Sequence, residues 1–341
     1  MRVGIVCRYC SSSATLAALS LARVLTQLHV DVRLYSRIAL PAYVVDPDWD
    51  MRVTCPPCPW QAWAGDCDCV IWSSLAFRDE VVWARRKNLR TALVVNWTEL
   101  SPNCESDLRQ FHVLLSPVYT AAIYLRSRLN LEQTVFCPWV TGLPVVTARR
   151  PPGGRQILLP GFDLPAPQQL HDLCQALEWL LVAEPTCQLL IPLTPSRCNR
   201  TALRQLVSFS RMHGERVRLE KGIPLHARPL CYSRADLTLI GRTDDDYGLD
   251  ALLSLTMGTP VVGYDCPPWS EMMCESGVRL AACKRQFTSR LAPLVAGDAG
   301  QLVTVVMEAL QRPLSMEGVP AQLETRASNL SATLRHELRL T

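Results

Sequence analysis

Short apolar runs alternate along this chain with longer segments in which apolar residues recur every three or four positions. The short runs have the length of buried strands, and the longer segments have the period of amphipathic helices. Regular alternation of the two predicts an α/β fold with parallel sheets. The predicted strands cover residues 3–7, 30–35, 69–72, 92–96, 113–116, 134–138, 140–144, 157–159, 188–191, 217–219 and 236–241, and another begins at 261. The predicted helices cover residues 16–25, 78–89, 119–129, 167–181, 201–213, 247–257, 300–310 and 319–338.

The length of 341 residues exceeds that of one average domain, so two Rossmann-like domains are expected. Near mid-chain, ARRPPGGRQ has the composition of a linker. We predict an N-terminal domain over residues 1–148, a linker over 149–155, a C-terminal domain over 156–318 and a final helix over 319–341.

Composition predicts a soluble, cytoplasmic protein. Hydrophobic residues make up 48% of the chain and charged residues 19%, without the run of about 18 apolar residues that a transmembrane helix needs. The opening apolar stretch is too short for a secretory signal and predicts a strand. The net charge of +4 permits a nucleic-acid or phosphorylated partner without requiring one. Arg149, Arg150 and Arg155 suit phosphate contacts, and the alternative is a solvated basic linker.

Fifteen cysteines are scattered along the chain, which favours reduced thiols over a disulfide framework. One group is dense: Cys55, Cys58, Cys67 and Cys69 lie within fifteen residues and could hold a tetrahedral Zn²⁺. Against zinc, the second pair leads into a predicted strand and two prolines stiffen the first pair. The pattern favours buried or loop thiols, and no metal is expected in the functional site.

The segment 41–64 is rich in Pro and Trp and has no clear periodicity. Trp49, Trp60 and Trp63 could stack on the sugars or unpaired bases of an acceptor. The alternative is that these rings anchor a long loop on the core.

Residues 234–265 contain the clearest functional pattern. A strand over 236–241 is followed by an acidic turn at Asp244, Asp245 and Asp246, a helix over 247–257 and a second buried strand. We expect one of the aspartates to be the helix N-cap, because a carboxylate accepts from free backbone N–H groups there. This order places a site at the carboxyl edge of a parallel sheet.

This segment resembles the donor-binding segment of retaining GT-B glycosyltransferases of the family 4 type. In that family an acid, any residue, an aromatic residue, Gly and Leu are followed by a second Glu eight positions after the first acid, and then by Gly-x-Pro-Val-Val. The residues that carry the resemblance are Asp236, Asp245, Tyr247, Gly248, Leu249, Leu252, Gly258, Thr259, Pro260, Val261 and Val262.

The resemblance implies two Rossmann-like domains facing a cleft, with the nucleotide-sugar donor on the C-terminal domain and the acceptor on the N-terminal one. It implies sugar transfer with retention, no bound cofactor or metal, and a last helix that crosses back to the first domain. The first acid, Asp245, would then be the catalytic residue near the donor sugar. The implied donor contacts in this segment are Asp244, Tyr247, Gly248 and Leu249.

The chain departs from the family pattern in two places. Leu253 occupies the position of the second Glu, which in the family holds the ribose hydroxyls; a Leu cannot accept those hydrogen bonds and fits a core position instead. Where the family has an Arg and a Lys for the diphosphate, this chain has Phe162 or Asp163 and Gln168. The cations that could replace them are Arg242, directly after the donor-side strand, Lys221 and Arg8.

Two N-terminal turns supply further candidates. Ser11, Ser12 and Ser13 precede the first helix, where hydroxyl and backbone N–H groups suit an anion or a sugar hydroxyl, and where N-capping is the alternative. Glu99 follows the strand over 92–96 and is the candidate N-terminal acid at the reacting centre. Its alternative role is to cap the next helix.

The leading hypothesis is therefore a glycosyltransferase that takes a nucleotide sugar and an unidentified acceptor: a glycan, a lipid, a protein or a modified nucleic-acid base. Because both departures remove donor ligands, the first alternative is a catalytically degenerate GT-B-like binding or partner subunit. A sugar-nucleotide epimerase is the second.

Overall fold

The computed structural model describes residues 1–7, 12–36, 52–54, 58–73, 77–100, 102–142, 145–146, 155–161, 167–193, 200–223, 227–242, 247–267, 269–272, 277–286 and 294–340. These residues form two compact units. Unit 1 comprises Met1–Gly142 and Glu324–Thr341, and unit 2 holds most of the residues from Leu143 to Leu323. Residues 149–154 of the predicted linker fall outside the described ranges, so the linker bounds stay a prediction.

The described part of unit 1 has one sheet of seven parallel strands. The strands are β1 (Arg2–Cys7), β2 (Asp31–Ser36), β3 (Arg52–Thr54), β4 (Cys69–Trp72), β5 (Arg90–Val94), β6 (Val113–Ser116) and β7 (Thr134–Phe136). Their order is β3-β2-β1-β4-β5-β6-β7, so the chain winds outward first to one side of β1 and then to the other. This is the doubly wound arrangement of Rossmann-like domains.

Helices cover the unit 1 sheet. They are α1 (Ser12–Gln27), α2 (Trp60–Ala64), α3 (Arg78–Arg86), α4 (Glu105–Leu108) and α5 (Tyr119–Leu129). The core on one side is largely aromatic: Trp60 and Phe111 both pack edge-on against Trp72, with ring centroids 5.9 and 5.7 Å away. Edge-to-face contacts of this kind are favourable because the positive ring edge meets the negative face.

The described part of unit 2 has a six-stranded parallel sheet of the same topology, in the order β10-β9-β8-β11-β12-β13. An antiparallel pair, β14 and β15, lies apart from it. The strands are β8 (Arg155–Leu158), β9 (Cys187–Leu193), β10 (Val217–Lys221), β11 (Leu237–Ile240), β12 (Val261–Tyr264), β13 (Val278–Ala281), β14 (Cys283–Gln286) and β15 (Leu294–Gly297). The helices are α6 (Pro167–Ala183), α7 (Arg200–His213), α8 (Arg228–Arg234), α9 (Leu249–Thr256), α10 (Trp269–Met272), α11 (Ala299–Gln311) and α12 (Val319–Leu338).

The last helix, α12, passes from unit 2 into unit 1 at residue 324. Within unit 1, Arg326 Nε donates to the carbonyl oxygen of Trp139 at 3.3 Å, and Arg90 Nε donates to that of Glu337 at 2.6 Å. Leu330, Leu334 and Leu338 are buried, which fixes one apolar face of the helix. Among the described residues, no helix is both long and apolar enough to cross a lipid bilayer.

The predicted α/β alternation is confirmed. The strand predicted over 140–144 was wrong at its described residues, 140–142, which have no regular structure. Helices α2 and α8, strands β3 and β13 and the β14–β15 pair were not predicted. Each is short, and none has the extended apolar pattern by which the other elements were recognised.

Candidate functional site

In unit 2, the strand order reverses between β8 and β11. Strands β9 and β10 lie on one side of β8, and β11, β12 and β13 lie on the other. Ligands of open α/β sheets bind outside the carboxyl ends of the strands at such a reversal, because the connecting loops diverge there and leave a crevice. The segment singled out from the sequence, 234–265, contains β11, and its acidic turn comes after this strand in sequence.

Packing against α6 is closest where β11 ends. A Cβ atom on Gly241 would lie 2.4 Å from Cδ2 of Leu173, a buried residue of α6. A side chain at position 241 would therefore require the Leu173 side chain to move. Arg242 comes next and is half-buried. Its side chain therefore begins at the carboxyl edge of the sheet.

The N-terminus of α9 differs from the sequence prediction. The N-cap residue is Gly248, with φ 63° and ψ 26°. The expectation that Asp244, Asp245 or Asp246 is the N-cap was therefore wrong, as was the predicted helix start at 247. The reason is that Tyr247 is buried at 2% exposure, and the left-handed turn at Gly248 lets the chain enter the helix after it.

Buried hydroxyls fix α9 to its neighbours. The Ser254 hydroxyl lies 2.7 Å from that of Thr238 in β11 and 2.8 Å from the carbonyl oxygen of Thr259, to which it can donate. Thr259 Oγ1 in turn donates to the carbonyl oxygen of Tyr232 in α8 at 2.7 Å. Because all these polar atoms are paired inside the core, the network positions α9 at little cost in desolvation.

A second contact joins α8 to the first turn of α9. The buried Tyr232 hydroxyl donates to Asp250 Oδ1. Burial, followed by the charge of Asp250 and this hydrogen bond, raises the pKa of Tyr232 well above its ordinary value, so the hydroxyl keeps its proton and stays a donor. Tyr232 was not predicted from the sequence, because a polar aromatic residue in a short segment gives little signal alone.

Leu253, in the position of the second Glu in the family pattern, is fully buried. It lies on the same helix as Leu249 and Leu252, which are also buried. Leu253 therefore belongs to the buried part of α9, where a carboxylate would lose its contact with water.

The structure describes only some of the other predicted site residues. Gly248 and Leu249 form the first turn of α9, next to Tyr247, and Arg242 lies just before this turn in sequence. Lys221 ends β10 at the edge of the sheet, separated from β11 by two strands, or about 14 Å at the usual strand spacing of about 4.8 Å. The predicted residues outside the described ranges are Arg8, Ser11, Phe162, Asp163, Asp244, Asp245 and Asp246.

Two predicted residues in unit 1 are described by their backbone alone. Ser12 is the first residue of α1, so it lies at a helix N-terminus as expected. Glu99 ends a 3-10 turn, Trp97–Glu99, which follows β5 at the carboxyl edge of the sheet. The next helix begins elsewhere, after residue 101, and the roles of Ser12 and Glu99 stay predictions.

The tryptophans and thiols of unit 1 lie in its core. Trp60 and Trp63 are buried, so they anchor the segment and are not available to stack on an acceptor. Burial raises the pKa of Cys67 to about 11 and of Cys69 to about 12, which disfavours the thiolate form that binds metals. Among the described residues, no group of His, Cys, Asp and Glu is arranged to hold a metal ion; Trp49 and Cys55 lie outside them.

No protein-family profile and no curated protein sequence matches the chain. Its structure is similar to solved structures along its full length. Sucrose-phosphate synthase from Thermosynechococcus elongatus is 13% identical, with all of both chains covered and a TM-score of 0.70. A glycosyltransferase from Rickettsia africae is 12% identical, with 99% of this chain and 96% of that chain covered and a TM-score of 0.67.

An epimerase has the same architecture. UDP-GlcNAc 2-epimerase from Neisseria meningitidis, solved with UDP-GlcNAc bound, is 12% identical, with all of both chains covered and a TM-score of 0.60. Identities this low establish the fold alone. The chain has the GT-B fold, as the resemblance in residues 236–262 implied, and the reaction must be argued from the site.

Proposed function

We propose that this protein is a glycosyltransferase that moves a sugar, such as a hexose, from a nucleotide-sugar donor to a glycan, protein or modified nucleic-acid base, with retention. One observation carries the proposal: Arg242, Tyr247 and Gly248 follow β11 at the strand-order reversal of unit 2, where a GT-B fold of this topology would bind its donor. Similarity to a glycosyltransferase and to an epimerase bound to UDP-GlcNAc makes a nucleotide sugar the first ligand to test.

The donor diphosphate needs positive charge and N–H donors, because an unpaired anion in a partly dry site is very costly. Arg242 offers a planar guanidinium group for bidentate contacts with a phosphate. The first turn of α9 offers backbone N–H groups, and Gly248 allows a ligand to approach the backbone closely because it has no side chain. In this proposal these groups stabilise the leaving diphosphate without a metal or cofactor, and Asp245 and Glu99 are the predicted catalytic residues.

The ribose must be held differently from the family pattern. Because Leu253 is buried, the hydroxyl contacts that a Glu would make there have no equivalent on α9. This favours a second candidate, a protein that binds a nucleotide sugar or a partner subunit and no longer transfers the sugar.

A panel of nucleotide sugars separates these candidates. Thermal shift and isothermal titration measure binding, and release of free UDP or another nucleoside diphosphate measures hydrolysis or transfer. We expect Arg242→Ala to weaken binding about tenfold or more, because a charge-assisted contact is lost. Arg234→Ala, which removes an exposed arginine at the end of α8, is the matched control and should leave binding unchanged.

Each outcome selects one function. Turnover that is lost in Asp245→Ala, with binding retained, supports a glycosyltransferase, and the anomeric configuration of the product tests retention. Binding without turnover by any donor supports the degenerate protein, and conversion of the donor sugar without an acceptor supports an epimerase. If no nucleotide sugar binds, the donor-site assignment is wrong.

We also propose a cytoplasmic location. In the described part of the chain, all eleven cysteines are free thiols. Thiols persist in a reducing compartment, whereas in an oxidising one the partly exposed Cys58, Cys174 and Cys283 would be open to oxidation. A fluorescent fusion followed by fractionation of the producing cell tests this location.

A further inference from the structure

The amino-terminal edge of the unit 1 sheet contains a cleft of about 500 Å³, at the opposite edge from Glu99. Side chains from four parts of the chain line it: Asp68 before β4, Arg85 and Arg90 around the α3–β5 turn, His112 before β6, and Arg339 after α12. None of these residues belongs to the donor site proposed above, and none was identified in the sequence analysis.

The lining has excess positive charge. Three arginines face one aspartate, Asp68, whose Oδ2 accepts the backbone N–H of Arg2 at 2.7 Å. Within the part of the chain that the structure describes, the guanidinium groups of Arg85, Arg90 and Arg339 form no ion pair. Other arginines of the same unit do, for example Arg2 with Asp31 at 2.8 Å. This excess of positive charge suits an anion such as a phosphate group.

Two of the arginines are fixed by backbone carbonyl groups, which leave most of their donors available. Arg90 Nε donates to the carbonyl oxygen of Glu337 at 2.6 Å, and Arg85 Nη1 donates to that of Gln110 at 3.2 Å. A guanidinium group has five N–H donors in a planar fork, so each retains donors for a bidentate contact with a tetrahedral anion.

His112 has a defined proton position. Its Nδ1 accepts the backbone N–H of Thr91 at 3.1 Å and lies 2.8 Å from the Thr91 hydroxyl. Because Nδ1 is an acceptor, the neutral ring has its proton on Nε2, the nitrogen on the other side of the ring. Partial burial, followed by the charges of Arg85, Arg90 and Arg339, lowers the pKa of His112. Oε1 of Glu337, in the last turn of α12, lies 2.9 Å from Nδ1 of His336.

Arg339 occupies a position that usually belongs to glycine. It has φ 55°, in the left-handed region, immediately after α12. The N–H of Arg339 donates to the carbonyl oxygen of His336 at 3.2 Å and that of Leu340 to Arg335 at 3.0 Å, the two bonds of a Schellman motif. Glycine adopts this conformation without strain, so the backbone gains nothing from arginine here. What arginine adds is a guanidinium group in the cleft.

We propose that this cleft binds a phosphate monoester, with Arg85, Arg90, Arg339 and the Nε2–H of His112 as its donors. The charges converge in a concave site, which suits a small soluble phosphate better than an extended polyanion. The inference does not rest on the proposed function, because the cleft lies within unit 1 and uses no residue of the donor site.

The first test uses the unmodified protein. Sulfate has the shape and charge of the phosphate group and does not titrate near pH 7, so it is a clean probe of His112. Proton NMR of the His112 ring should show a higher pKa in sulfate than in chloride at equal ionic strength, because a bound dianion stabilises the imidazolium. If the His112 pKa is the same in both salts, the proposal is wrong.

The second test uses variants and a monoester. Isothermal titration with glycerol 3-phosphate should show binding that is about tenfold weaker or more in Arg85→Gln combined with Arg339→Gly. Arg86→Gln and Arg335→Gln, which neutralise neighbouring exposed arginines outside the lining, are the matched controls. Equal losses in the controls would overturn the proposal, because they would indicate a general charge effect.

Arg90 is left unchanged in these variants because its hydrogen bond to Glu337 supports the fold. If the double variant does not fold, Arg85→Lys and Arg339→Lys preserve the charge but not the planar fork, and weaker binding in both remains the expected result. Vesicles containing phosphatidic acid separate the two sources of a monoester. Binding to vesicles without binding to glycerol 3-phosphate would overturn the proposal of a soluble ligand.

Discussion

Two helix ends have the same unusual backbone conformation but different residues. Gly248, the N-cap of α9, has φ 63°, and Arg339, just after α12, has φ 55°. At Gly248 the backbone conformation is what matters, because a residue without Cβ lets the chain turn at the carboxyl edge of the unit 2 sheet. At Arg339 a long side chain is placed where a glycine would be less strained. One helix end therefore contributes backbone to its proposed site, and the other contributes a side chain.

The largest effect on stability is expected from placing a charge among the buried residues of α9. Leu253→Glu should lower the free energy of unfolding by about 4 kcal/mol or more, because a fully buried, unpaired carboxylate replaces a core residue. Urea denaturation measures this loss, which should be larger at pH 8 than at pH 5 because burial favours the protonated acid. Leu253→Met, which conserves volume, should cost less than about 1.5 kcal/mol. Unchanged stability together with tighter binding of UDP would mean that position 253 contacts the ligand after all.

Gly248→Ala tests the backbone site directly. A Cβ atom at this φ should destabilise the protein by about 1–2 kcal/mol, measured by thermal or urea denaturation. Gly300→Ala is the control: Gly300 lies in the first turn of α11, and its added Cβ would have only an ordinary contact, 3.4 Å from Asp298 Oδ1. This control should be neutral or slightly stabilising. Equal effects of both changes would argue against the left-handed N-cap.

Arg339→Gly tests the side-chain site and should have the opposite sign. Relief of the left-handed strain should raise the free energy of unfolding by up to about 1 kcal/mol in the absence of an anion. Arg335→Gly, four residues earlier and inside the helix, should lower it by about 1 kcal/mol. If both variants are destabilised alike, Arg339 supports the fold through its own contacts.

The smallest effect is a pH dependence that arises at His112. The folded-state pKa lies below the ordinary value of 6.5, so the unfolded chain binds the proton more readily. Stability should therefore be fully present above pH 6.5 and fall as the pH decreases toward the lowered pKa. His112→Gln should flatten this part of the stability curve, as measured by urea denaturation across the pH range. An unchanged slope would show that His112 titrates as it does in the unfolded chain.

Much of the fold could be predicted because local pattern and tertiary packing agree in most elements. Helix α5 and strand β6 have the bounds that the sequence predicted, since their apolar residues have the period of the element they form. Helix α8 escaped prediction because its seven residues include Arg228, a buried charge, and Pro229. Burial of such residues depends on what packs around them, which the local pattern does not contain.

The sites were less predictable than the fold. The position of the donor segment after β11 followed from its strand-turn-helix order, but its N-cap did not, because three aspartates gave a stronger local signal than a single glycine. The anion cleft joins residues 68, 85, 90, 112 and 339, which are brought together only by the order of strands and the return of α12. No window of sequence contains this group of charges.

The return of α12 has a consequence for biosynthesis. Unit 1 contains Met1–Gly142 and also Glu324–Thr341, so residues 1–142 lack the remainder of their unit until residues 324–341 leave the ribosome. Until then, the Arg90 side chain lacks the Glu337 carbonyl group, and the surface that later covers Leu334 and Leu338 is exposed to water. The residues of unit 2 are nearly all synthesised between the two parts of unit 1, so unit 2 can fold before unit 1 is complete.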